Sequence, residues 1–117
     1  MKITSQSREF SKVEIYKMTK ANDTISVKDL PDGSTLLVDG YLTYDDINAK
    51  GEEIHMLSVI GFIEGIDKPV VWTCQSQTFK QDFSDIWAIF NDEEKFMIAK
   101  GSGESKAGRK FLKCTLA

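Results

Sequence analysis

The order of periodic segments constrains this chain more than any other feature. Three strand-like runs, Ser34–Tyr44, Glu53–Ile63 and Pro69–Ser76, come first. One strongly amphipathic helix, Thr78–Phe90, follows, and two further strand-like runs, Lys95–Lys100 and Arg109–Ala117, close the order. In the helix Phe79, Phe83, Ile86, Trp87 and Phe90 recur at helical spacing, so that stripe must be buried while Asp82 and Asp85 face water. Thr78 and Gln81 fit a capping box at its start. Five strands with a helix between the third and fourth predict an all-β fold, the five-stranded Greek-key barrel called the OB-fold, over residues 25–117. Residues 1–24 read as an arm. Ser11 and Glu14 fit a second capping box and Phe10 and Ile15 a hydrophobic staple, which predicts a short helix over Lys12–Lys20, while residues 1–9 show no periodicity and read as loose.

Alternation along the strands assigns faces. Leu36, Val38, Gly40, Leu42 and Tyr44 share one face of the first strand, and Leu37, Asp39, Tyr41 and Thr43 the other. Gly40 in mid-strand suggests a bend or bulge. Asp45–Glu52 reads as the following loop, with Asp45 and Asp46 in the turn. The second strand is apolar on both faces, with Ile54, Met56, Ile60 and Phe62 on one and Leu57, Val59 and Ile63 on the other. One barrel core covers only one such face, so a ligand or a second copy of the chain is expected on the other, and a homodimer or higher oligomer follows. In the last strand Leu112, Cys114 and Leu116 form a core row, and Arg109, Phe111, Lys113 and Thr115 point outward. Gly101–Gly108 reads as a mobile hairpin. It lacks Gly-Lys-Ser/Thr and no helix follows it, which sets aside a phosphate loop.

Little here points to catalysis. The single histidine, His55, has no partner pattern in the sequence, and Asp45-Asp46 have no third carboxylate beside them. Cys74 and Cys114 form no CxxC pair and read as small buried thiols. The expectation is a non-enzyme with no cofactor and no metal. No apolar run is long enough to span a bilayer and Met1–Ser5 is not of signal-peptide type, so a cytoplasmic protein without membrane contact is expected. The net charge is −3, but residues 100–113 carry +4, leaving −7 on the rest of the chain. Local charge decides where a polyanion can dock.

Several stretches resemble the small OB-fold single-stranded DNA-binding proteins of lactococcal and related Gram-positive phages. They are Glu14–Lys20, Val38–Tyr41, Leu57–Val59, Thr78–Phe79 and, most distinctively, Ser105-Lys106-Ala107-Gly108-Arg109-Lys110-Phe111. The resemblance implies sequence-tolerant binding of single-stranded DNA, a role in phage DNA replication or recombination in the host cytoplasm, self-association, and dealings with phage or host replication or recombination proteins. Single strands are held by cations along the backbone and rings under the bases. The cations expected to serve are Lys50, Lys100, Lys106, Arg109, Lys110 and Lys113. The candidate rings are Tyr41 and Phe111, which share parity with polar neighbours, Tyr44 at a strand end, and Trp72, which is equally compatible with core and with stacking. The competing expectation is an OB-fold protein-interaction module without nucleic-acid binding, which the acidic balance favours.

Overall fold

The computed structural model describes all 117 residues. Its elements run β1 (Lys2–Gln6), α1 (Lys12–Thr19), β2 (Ile25–Ser26), a 3-10 turn (Val27–Asp29), β3 (Thr35–Ile47), β4 (Glu53–Phe62), β5 (Val70–Cys74), α2 (Gln77–Phe90), β6 (Met97–Glu104) and β7 (Lys110–Leu116). They form one sheet in the order β2-β5-β4-β3-β6-β7, with β1 pairing β3. All pairings are antiparallel except β2 with β5.

The sheet curls into an open half-barrel rather than the closed five-stranded barrel expected from the sequence. The physical reason lies at the seam. β5 spends its outer edge on β2, and β7 spends its own on α2. The Thr78 hydroxyl donates to the Leu112 carbonyl at 2.6 Å, and the Asp82 carboxylate accepts the Cys114 N–H at 3.0 Å. Two helix side chains thus satisfy a strand edge that a closing strand would otherwise have to meet. Neither plays the part expected of it: Ser76, not Thr78, caps α2, accepting the Phe79 N–H, and Asp82 is turned to β7 instead of water.

A bulge decides the faces. Val38 pairs with Gly61 and Gly40 with Ile60, so Asp39 has no partner on β4. One extra residue reverses parity beyond it. Leu36 and Val38 point into the half-barrel with Leu57, Val59, Trp72, Phe79, Phe83 and Ile98. Leu42 and Tyr44 point the other way, into a second core with Phe10, Met18, Ile60 and Val71. The single row from Leu36 to Tyr44 expected from alternation is therefore split.

The second core is the arm's doing. The capping box at Ser11 is made in both directions, with the Ser11 hydroxyl accepting the Glu14 N–H and the Glu14 carboxylate accepting the Ser11 N–H. α1 then lays Met18 against β4 and β5, and the buried Ser58 hydroxyl donates to the Met18 carbonyl at 2.7 Å. β4 is apolar on both faces because the chain covers both itself. The observation that suggested a second copy is thereby met within one copy. Residues 2–6, expected to be loose, form β1 and extend the sheet along β3.

Candidate nucleic-acid interface

The structure divides the ten predicted contact residues into three groups. Four are withdrawn by packing. Trp72 is 1% exposed and belongs to the main core, which closes the alternative of a stacking ring. Tyr44 is buried in the second core, where burial first and Asp46 second push its phenol above the usual range. Tyr41, expected to point outward, is turned inward by the bulge and meets Phe83 and Trp87 edge-on at 5.4 and 5.0 Å between ring centroids. Lys100 is 5% exposed, and its ammonium donates to the Leu30 carbonyl and the Asp32 carboxylate at 2.8 and 2.9 Å. Those bonds, with one from the Ser102 hydroxyl, hold the Asp32 carboxyl below its usual range. Lys50 is exposed, but on the β3–β4 turn and not on the β6–β7 hairpin.

The other five share the β6–β7 hairpin. The residues expected to form a mobile glycine-serine loop are mostly strand: β6 runs to Glu104, and only Ser105–Arg109 turn. The Ser105 N–H bonds the Arg109 carbonyl at 2.8 Å and the Gly108 N–H bonds the Ser105 carbonyl at 2.9 Å. Gly108 has a φ of 79°, which glycine adopts without the penalty other residues incur. This tight turn presents Lys106, Arg109 and Lys110 on the surface, with Lys113 three residues beyond Lys110 and on the opposite face of β7. None of the four makes an ion pair within 4.0 Å; Arg8, Lys20, Lys95 and Lys100 do, while Lys2, Lys12, Lys17, Lys28, Lys50, Lys68 and Lys80, scattered over the rest of the chain, do not.

The ring on this hairpin lies on bare backbone. Gly103 pairs with Phe111 and Gly101 with Lys113. A Cβ on Gly103 would run into the Phe111 ring, and one on Gly101 would come within 3.2 Å of the Lys113 side chain. Phe111 and Lys113 therefore lie down across the two glycines. The ring remains 36% exposed, and Lys113 follows it on the same face of β7.

Register shows a wider surface that alternation had hidden. Leu37 pairs with both Phe62 and Met97, and Thr35 with Ala99, which pairs with Thr115. These residues share the outer face with Gly101, Gly103, Phe111 and Lys113. Neither α1 nor α2 covers it. Phe62 is 38% exposed here, and Met97 is 39% exposed. Only the Asp39 bulge could have revealed this, since before the bulge the outer residues of β3 are Thr35 and Leu37 and after it Leu42 and Tyr44.

A separate trio was also invisible to sequence spacing. Asp45 and Asp46 lie within β3, not in a turn, and pairing brings His55 beside Asp45, with Nδ1 2.7 Å from Oδ1. Glu53 joins them within 4.8 Å. This trio stands exposed at the far end of the β3–β4 hairpin. Both cysteines are buried and reduced. Burial first, with Asp82 and Cys74 adding, pushes the Cys114 thiol up to about 12, which leaves it inert as a nucleophile.

No protein-family model matches the chain, and no curated protein and no solved structure is similar to it.

Proposed function

We propose that this chain is a sequence-tolerant single-stranded DNA-binding protein that holds its ligand on the β6–β7 hairpin. One observation carries the reading. Lys106, Arg109, Lys110 and Lys113, none of them in an ion pair within 4.0 Å, share one hairpin with a ring that lies over glycine backbone, in a chain whose net charge is −3. An acidic protein that gathers four exposed cations on one hairpin keeps a docking point for a polyanion. Phosphate contacts and ring stacking are both blind to base identity, which accounts for sequence tolerance. We read the fold as an OB barrel opened at the seam, since β3 to β7 follow the strand order of that fold with α2 between the third and fourth of them. The role in phage DNA replication or recombination, the host cytoplasm, self-association and dealings with other replication or recombination proteins rest on the resemblance of Ser105–Phe111 and the other matching stretches. The site contains no acid–base pair suited to turnover, and we read the protein as a non-enzyme.

The competing reading, a protein-interaction module, is favoured by the acidic remainder of the surface. Salt dependence separates the two. Replacing Lys106 and Arg109 together by Ala should weaken binding to oligothymidylate and flatten the log–log salt slope by about 1.4, at ~0.7 per lost phosphate contact on single strands. If the double variant keeps the full slope, the hairpin is not the phosphate site and the interaction module takes its place.

A further inference from the structure

We propose that the bound strand does not end at the hairpin but crosses the outer face of the half-barrel to a second ring, Phe62. This rests on the nucleic-acid reading above and extends it to the length of the ligand. The register carries it. Phe111 and Phe62 lie on the same uncovered face, at its two corners, with Thr35, Ala99 and Met97 between them. From Gly103 to Met97 is six residues of β6, about 20 Å at ~3.3 Å per residue, and from Met97 to Phe62 is two strand spacings, about 10 Å. The rings therefore stand some 20–25 Å apart. That span holds up to about seven nucleotides at the duplex rise of ~3.4 Å, and fewer when the strand is stretched.

Charge and shape on this face suit one occupant. No residue that register places on it is a carboxylate, although the chain has 18 acidic residues. Asp39, at the bulge of β3, is neutralised from both sides, by Lys95 at 2.9 Å and Arg8 at 3.2 Å. The middle of the face is built from small side chains and glycine, so a backbone can lie close to the sheet. Its cations gather at the Phe111 end. A strand would be anchored electrostatically at the hairpin and held by apolar and stacking contact at Phe62.

The proposal predicts a dependence on ligand length. Oligothymidylates of about four and about twelve nucleotides bracket the span of the two rings. Phe62→Ala should weaken binding of the longer one by about 5- to 150-fold, the loss of one stack, and leave the shorter one unchanged. Phe111→Ala should weaken both. Thr35→Glu, an exposed substitution in mid-face, should weaken only the longer one, and a Lys17→Glu control on α1 neither; circular dichroism would confirm that each variant is folded. If Phe62→Ala and Thr35→Glu bind the longer oligonucleotide as the wild type does while the Lys106/Arg109 variant does not, the crossing path is wrong and the hairpin site stands. Failure of the wild type to bind either length overturns both. Light scattering that shows a dimer dissolved by Phe62→Ala or Thr35→Glu would assign the face to self-association and overturn the path.

Discussion

At the scale of single residues, the same chemistry acquires opposite roles by where one bulge sends it. Tyr41 and Phe111 both carry exposed-face parity in the sequence, yet Tyr41 packs on Phe83 and Trp87 while Phe111 lies open over Gly103. Tyr41→Ala should thus cost stability, about 0.5–1.5 kcal/mol for each lost aromatic pair beyond its buried area. It should leave affinity for single strands unchanged, as urea denaturation and a binding titration on one preparation would show. Loss of affinity without loss of stability would return Tyr41 to the site. The outward parity of Phe111 and Lys113 was legible because β7 is a short regular strand in which Leu112 and Cys114 face the core, although Leu116, expected in the same row, is 54% exposed at the strand end. The burial of Lys100 was not, because its partners Leu30 and Asp32 lie about 70 residues earlier in the chain.

At the scale of elements, both helices announced themselves through strong local signals. The Ser11 capping box and the aromatic stripe of α2 are written within a dozen residues each, and the helices form close to where those signals put them. β1 carried no such signal. Lys2–Gln6 has no apolar alternation, and it becomes a strand because the edge of β3 offers it partners, including the Thr43 hydroxyl at 2.7 Å from those of Thr4 and Ser5. The covering of β4 by α1 was equally hidden, since apolar residues on two faces do not say who covers the second. Met18→Ala should test that covering. It empties a fully buried site and should cost about 2–5 kcal/mol. As the arm loosens, the Leu42–Ile60–Val71 surface opens, so light scattering should show self-association in this variant at concentrations where the wild type shows less. A variant equally destabilised but no more associated would mean that the arm does not guard this face.

At the scale of the whole molecule, Asp39 joins three parts that are distant in sequence. Its carboxylate takes Lys95, from the turn after α2, and Arg8, from the arm, at the bulge of β3. The bond from Lys95 first, and Arg8 after it, hold its carboxyl below the usual range despite partial burial. The native state therefore binds fewer protons than the unfolded state as pH falls through the ordinary carboxylate range of about 4. The stabilisation is complete above that range and is lost as pH drops through the depressed native value. Between about pH 5 and about pH 2 the urea midpoint of the wild type should fall more than that of Asp39→Asn, which cannot titrate. Equal falls would show that Asp39 does not link arm, bulge and turn.

Charge is also arranged at this largest scale, with +4 on residues 100–113 and −7 on the rest, and the hairpin that gathers the cations is the part proposed to hold single-stranded DNA. A fluorescence titration of the intact chain with oligothymidylate and with duplex of equal length, at low and at moderate salt, tests it most directly. Binding to the single strand should be saturable and weaken as salt rises, with a slope worth several phosphate contacts, and binding to duplex, whose bases are not free to stack, should be much weaker. Equal affinity for the two, or no binding to the single strand at low salt, would contradict it.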